Sequence, residues 1–269
     1  MMSQKTVYRK LYFYISSIFI FIFHLLFVFA KFKPADLKFA AVKATTFIPG
    51  DTLLSTVRTK LQSSVSGMYD SLRLNMMGLS KQAFELAMQG YNYLSQNGKI
   101  GNDRIISIVD FSQPSSSKRL FIIDLDQQKV IFNTYVAHGM NSGAATADQF
   151  SNIPESNQSS LGFYETGATY IGHNGYSLRL EGLETGINDN ADRRAIVIHG
   201  AAYVNEQLIK SQGYIGRSWG CPAIPENLHK PIIDKIKNGT CLFIYSPNQQ
   251  YLSHSRILHP AGSTSRING

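Results

Sequence analysis

The stretch Ala195 to Pro225, AIVIHGAAYVNEQLIKSQGYIGRSWGCPAIP, holds the residue types that can carry out acyl transfer. An apolar run ends at His199-Gly200. Cys221 follows 22 residues later, behind Gly216-Arg217-Ser218-Trp219-Gly220 and ahead of Pro222. A free thiol has a pKa of about 8.5, so a cysteine nucleophile needs a base to become a thiolate at neutral pH. A histidine at a strand end suits that role, because the sheet holds its backbone still. Gly220 lets a carbonyl substrate approach the backbone, and the N–H groups of Gly220 and Cys221 are candidates to face an oxyanion. Such donors are typically worth about 3 kcal/mol of barrier each.

The opposing reading of Cys221 is packing, since free cysteine is among the most buried residue types. A Gly-Cys-Pro turn behind Arg-Ser-Trp is poor core material, which favours chemistry. Cys241, inside Thr-Cys-Leu-Phe-Ile-Tyr, reads as core. A Cys221–Cys241 disulfide is chemically open to an exported chain. Around the Cys–His pair stand weaker candidates. Arg217 and Arg179 can grip carboxylates bidentately or simply brace the surface. Trp219 can wall a cleft or cover its own turn. Tyr203 lines the cleft or packs, His138 lies at a strand end, and Ser218 reads as a turn-stabilising hydroxyl.

Elements must hold these residues in place. Ser80 is expected to cap a helix with Phe84, Ala87, Tyr91 and Leu94 at helical spacing and a stop at Gly98. From residue 104 the texture turns to β, with strands expected at 104–110, 120–125, 129–137, 162–165, 176–183, 195–199 and 241–245. Asp126-Gln127-Gln128 and His173-Asn174-Gly175 read as turns. Many short strands with few helices between them predict a mostly β sandwich or barrel. The segment after Ser246 is expected to be a free tail.

The pattern His199-Gly200 followed by Ser218-Trp219-Gly220-Cys221 resembles the H-G … S-H-G-C signature of murein L,D-transpeptidase catalytic domains, the YkuD-type fold. Val136-Ala137-His138-Gly139, Ser159–Tyr164, Gly175–Leu180 and Gly216–Ala223 are similar to a divergent branch of that family. The resemblance covers roughly residues 104–247. It implies a β-sandwich carrying a cysteine acyl-transfer site, with Cys221 as nucleophile, His199 as base and the Gly200 carbonyl orienting the imidazole. It further implies peptidoglycan stem peptides as partners, and no cofactor or metal. Trp219 replaces the family's second histidine, and Pro222-Ala223 replaces its usual pair after the cysteine. Transfer to an acceptor amine would cross-link the wall; transfer to water would be L,D-carboxypeptidase activity.

Composition sets the remaining bounds. The chain has 269 residues, 26 Lys+Arg against 18 Asp+Glu, and two cysteines, too few for a disulfide scaffold. Five of the basic residues (Lys5, Arg9, Lys10, Lys31, Lys33) fall in the first 33 positions, which hold no acid. The rest of the chain is nearly balanced, with no basic block interleaved with aromatics, which argues against nucleic acid. Those charges flank Leu11–Ala30, 20 residues without a formal charge, long enough to span a bilayer. The expectation is a signal-anchor or signal peptide over 1–33 with the N-terminus cytoplasmic. A linker and helical region follow over 34–100, then a catalytic domain over 101–250 and a tail over 251–269. Membrane attachment through residues 11–30 would place the body at the outer face of the inner membrane or in the periplasm. The oligomeric state is left open.

Other classes compete. Gly216-x-Ser218-x-Gly220 fits the serine-hydrolase elbow, but too little chain follows for the remaining strands and both partners. A non-catalytic wall-binding sandwich is compatible with the changes around Cys221. A metalloenzyme has no H-E-x-x-H to rest on, and His254 and His259 are poorly spaced.

Overall fold

The computed structural model of the chain describes residues 62–260. The expected anchor, residues 11–30, lies outside them, as do residues 34–61 of the expected linker and helical region. Among the described residues no helix is long and apolar enough to cross a membrane.

Residues 62–71 are helical. Helix α1 (Lys81–Gln96) begins as predicted: Ser80 Oγ accepts from the Ala83 N–H at 3.1 Å, satisfying one of the helix's free donors. Its buried face, with Phe84, Ala87, Tyr91 and Leu94, packs on the sheet. The strands are β1 (Asn102–Asp110), β2 (Leu120–Asp124), β3 (Lys129–Thr134), β4 (Gly162–Gly172), β5 (Gly175–Gly182), β6 (Val197–Ala201), β7 (Ala223–Pro225) and β8 (Thr240–Tyr245). They form one sheet in the order β3-β2-β1-β8-β4-β5-β6-β7. The β1–β8 and β6–β7 pairs are parallel and the others antiparallel.

The two edges of this sheet come together. β3 ends at Thr134, and Ala137 bridges Ala223 of β7 at the opposite edge. Three residues span only about 10 Å, so the sheet must curl until it nearly closes. The mostly β class stands, and the expected sandwich is one continuous curled sheet. Both faces of the sheet are apolar: Leu242 is fully buried on one, and Ile106, Ile108, Phe121, Phe163 and Phe243 are fully buried on the other, where Phe163 lies against Gly90 of α1 and its ring stacks on that of Phe243 at 4.2 Å. Cys241 lies in that core as expected, and both cysteines are free thiols.

Two helices lie among the strands, and the terminus is docked, against the expectation of a free tail. Helix α2 (Glu206–Gln212) is capped by Asn205 and closed by Gly213. Helix α3 (Glu226–Ile236) buries Ile232, Ile233 and Ile236 although Pro231 stands inside it. Proline lacks the N–H for an interior helix bond, which masks the pattern in the sequence. The tail is also not free. Helix α4 (Gln249–His254) and the residues after it bury Tyr251, Ile257 and Leu258. The Glu184 carboxylate ties them to the sheet, accepting from the Phe163 N–H at 2.9 Å, the Tyr251 hydroxyl at 3.0 Å and the Ser255 hydroxyl. Few apolar residues sufficed because a buried polar anchor does the rest.

Candidate active site

His199 lies on β6, which is paired on both sides, opposite Ser177 of β5 and Ala223 of β7. Its backbone is therefore fixed by two ladders, and its side chain is almost fully buried. Nδ1 lies 2.9 Å from the Gly200 carbonyl oxygen, an acceptor only, so Nδ1 carries the proton and Nε2 keeps its lone pair. Burial pushes His199 below the usual imidazole value, against the Gly200 hydrogen bond, and nearby His229 lowers it further. A neutral imidazole with a free Nε2 is a competent base.

Cys221 stands two positions ahead of Ala223, the β7 residue in register with His199. That register lays Cys221 against the start of β6. Its thiol is half-buried and donates to the Ala195 carbonyl at 3.6 Å; among the described hydrogen bonds none joins it to His199. Burial pushes the thiol up, while the Val197 N–H and the Arg194 guanidinium pull it down without cancelling the rise. Both directions agree with a resting pair of neutral thiol and neutral imidazole.

The loop carrying the nucleophile is clamped from behind. Ser218 N–H donates to the His138 carbonyl at 3.0 Å, and the Ser218 carbonyl accepts from the Met140 N–H at 2.7 Å. Ser218 Oγ donates to the Cys221 carbonyl at 2.6 Å and accepts from the Gly220 N–H at 3.1 Å. Ser159 Oγ reaches the Gly220 carbonyl at 3.3 Å. Ser218 is thus a buried hub of the turn, with its hydroxyl engaged at both ends and unsuited to nucleophilic attack. The Gly220 N–H, expected to face an oxyanion, is directed instead at Ser218. Gly220 itself sits at φ +123°, and an added Cβ would lie 2.8 Å from the Gln158 carbonyl oxygen and 3.2 Å from Arg194 Nη2. Only glycine fits there.

His138 does not reach the cleft. It is fully buried, its Nδ1 accepts from Arg119 Nη2 at 2.7 Å, and its Nε2–H points to the Gly143 carbonyl at 3.3 Å. Arg119, also fully buried, donates in addition to the Val136 carbonyl and the Gln113 carbonyl. Their role is to hold the 136–143 segment against which the catalytic loop pairs. Arg217 braces the same segment through Nη1, which donates to the Met140 carbonyl at 3.3 Å and the Gly143 carbonyl at 3.0 Å. Arg179 is a surface residue over the Tyr170 ring, 3.9 Å from Asp192. Tyr203 is near the thiol, its hydroxyl pushed up to about 12 by burial and by Cys221. Trp219 does not cover its turn: it is 78% exposed.

Two residues at the site escaped the sequence reading. Arg194 lies beneath the loop, bonded to the Ser151 and Gln158 carbonyls and close enough to bias Cys221. The Arg193-Arg194 pair just ahead of β6 was its only signal. His229 of α3 packs directly on Gly200. No signal short of the helix itself could place it there. A separate cavity of about 460 Å³, lined by Phe150, Ser160, Ile187, Tyr251 and Arg256 among others, contains neither Cys221 nor His199.

The fold and the clamped Cys–His pair can be set beside known proteins. No curated protein sequence matches this chain. The L,D-transpeptidase from Mycobacterium smegmatis is 12% identical over 53% of this chain and 59% of its own, with a TM-score of 0.33. The helical cell shape determining protein Pgp2 from Campylobacter jejuni is 14% identical over 61% and 57%, with a TM-score of 0.38. An L,D-transpeptidase from Stackebrandtia nassauensis is 15% identical over 60% and 66%, with a TM-score of 0.32. This chain spans less than two thirds of the length of each of these structures. The family model described as the L,D-transpeptidase catalytic domain matches residues 75–245, more than half of the sequence, and the chain therefore belongs to that family.

Proposed function

We propose that the chain is a cysteine acyltransferase that acts on peptidoglycan stem peptides and forms L,D cross-links. The observation that carries this is the His199 tautomer. Nδ1–H is fixed on the Gly200 carbonyl, which leaves Nε2 as a base on the strand paired with the one that Cys221 leads into. The thiol first turns from the Ala195 carbonyl toward His199. His199 Nε2 takes the thiol proton as sulfur attacks the carbonyl carbon of an L-centre bonded to a D-amino acid. The Cys221 N–H is the donor for the resulting oxyanion, since the Gly220 N–H serves Ser218. The C–N bond then breaks, His199 gives its proton to the departing amine, and a Cys221 thioester remains. An acceptor amine attacks the thioester, loses its proton to His199, and restores the thiol, so the kinetics are ping-pong. Water in place of the amine gives L,D-carboxypeptidase activity at the same residues. Residues 11–30 would hold the domain on the wall side of the membrane.

The test is mass spectrometry of muropeptides incubated with the full chain, wild type against Cys221→Ala. The expected result is a covalent acyl adduct on Cys221 together with cross-linked dimers, both absent from the variant. Equal product from Cys221→Ala would overturn the proposal, and tripeptides alone would assign the carboxypeptidase.

A further inference from the structure

Arg194 stands just ahead of β6, and its guanidinium grips one segment of the chain. Nη1 donates to the Ser151 carbonyl at 2.7 Å and to Ser160 Oγ, while Nη2 donates to the Gln158 carbonyl at 2.5 Å and to Ser156 Oγ at 3.3 Å. All four acceptors are neutral, and among the described residues no carboxylate pairs with it. A guanidinium stays protonated in a protein, so an uncompensated positive charge is held here, half-buried. It lies directly under the turn of the nucleophile. The Gln158 carbonyl oxygen that Nη2 holds is 2.8 Å from the place of a Cβ on Gly220, and Nη2 itself is 3.2 Å from that place. The Cys221 Cα is one chain step of about 3.8 Å beyond Gly220, which puts Nη2 at most about 8.5 Å from it. The next residue serves the same sulfur. Ala195 sits at φ +51°, an uncommon conformation for a residue with a Cβ, and its carbonyl receives the Cys221 thiol at 3.6 Å.

We propose that Arg194 is a positioning residue of the acyl-transfer site, which fixes the 151–160 segment under the nucleophile's turn and supplies the positive charge that holds the Cys221 sulfur as it becomes an anion. This rests on the transpeptidase reading and deepens it. Burying a cation without a counter-charge is unfavourable, and the cost is relieved when an anion forms beside it. The sulfur of Cys221 is the group that becomes an anion in the reaction. The electrostatics have the matching sign, because Arg194 pulls the thiol down against burial. The other ionisable groups that face the pair do not compete. Burial pushes His199 of β6 down and pushes Tyr203 and Tyr164 of β4 up, which leaves all three uncharged near neutral pH. Arg217, the cation on the loop itself, is exposed to screening by water and is directed at the Met140 and Gly143 carbonyls.

Alkylation of Cys221 by iodoacetamide, followed against pH in the full chain, tests this charge without any peptidoglycan. A unit charge about 8 Å away moves a thiol by about one pH unit at a dielectric between those of protein and water. In Arg194→Gln the midpoint of the profile is therefore expected to rise by about one pH unit. Arg194→Lys keeps the charge but not the four-way grip, so its midpoint should stay near that of wild type while both variants melt earlier. An unchanged midpoint in Arg194→Gln, or an equal rise in Arg194→Lys, overturns the proposal. Cys241 reports any variant that fails to fold, because it is fully buried in the native chain. In that event the wild-type chain decides. With a fixed cation at the sulfur, the ratio of iodoacetate to iodoacetamide rates at Cys221 should exceed that of the urea-unfolded chain about threefold, and a ratio no higher overturns the proposal. A wild-type chain that passes these tests but turns over no muropeptide removes the transpeptidase reading and leaves the hold of Arg194 on the sulfur standing.

Discussion

Gly200→Ala puts the geometry behind His199 to a quantitative test. A methyl group at this position would lie 2.7 Å from Cγ, 2.9 Å from Nδ1 and 3.0 Å from Cβ of His229. Carbon atoms pack best at about 3.5–4.0 Å, so the ring is about 1 Å too close. It cannot simply turn aside, since Nδ1 is bonded to the Glu226 carbonyl and α3 is anchored by buried Ile232 and Ile233. Overpacking of this kind costs about 1–3 kcal/mol. For a domain of this size that is a fall in Tm of about 2–12 °C. Any backbone shift that relieves the clash also moves the Gly200 carbonyl, which orients His199. Misplacement approaching 1 Å can cost about 100-fold in rate, so kcat should fall by about 10–100-fold with a smaller change in KM. His229→Ala removes the wall, and the double variant should recover 1–2 kcal/mol (an order-of-magnitude coupling for residues in contact). Thermal unfolding and muropeptide turnover measure both effects. If Gly200→Ala were as stable as wild type, or if His229→Ala gave no recovery in its background, the contact would not exist as described.

Thiol chemistry gives a second check. Alkylation of the native chain should modify one equivalent at Cys221 and spare Cys241, which is fully buried. The Cys221 rate should be slow at pH 7 and climb through pH 9, because burial raises that thiol above its ordinary value. A plateau already reached near neutrality would instead show a preformed thiolate. His138 predicts an acid limit to stability. Burial and the adjacent Arg119 hold it at about 4 against the ordinary 6.5. The unfolded chain therefore takes up this proton first, and the contribution, complete above pH 6.5, is lost as the pH falls from 6.5 to about 4. A shift of that size corresponds to about 3 kcal/mol. Denaturant unfolding across this window should show the slope in wild type and a flatter one in His138→Gln; parallel slopes would contradict the buried neutral histidine.

The sequence by itself determined the local features of this protein. Ser80 could be read as a cap because its hydroxyl satisfies a donor three residues away, and most strands because apolar β-branched residues run between turn signals. Cys241 could be placed in the core from its apolar neighbours alone, and the motif around His199 and Cys221 identified the family. Pairing between distant segments was a different matter. His138, Arg217 and Gly220 looked like groups free for substrate, and the fold gave each an internal partner tens of residues away or across the turn. His229 and Arg194 carry no local signature of the site, because they reach it only when α3 lies over β6 and the 150–160 loop folds beneath Cys221. The supposed tail is docked for the same reason: one buried carboxylate, Glu184, supplies what its composition lacks. A hydrogen bond depends on distance and angle in the finished fold, and only the tertiary structure decides which of a residue's possible partners comes within reach.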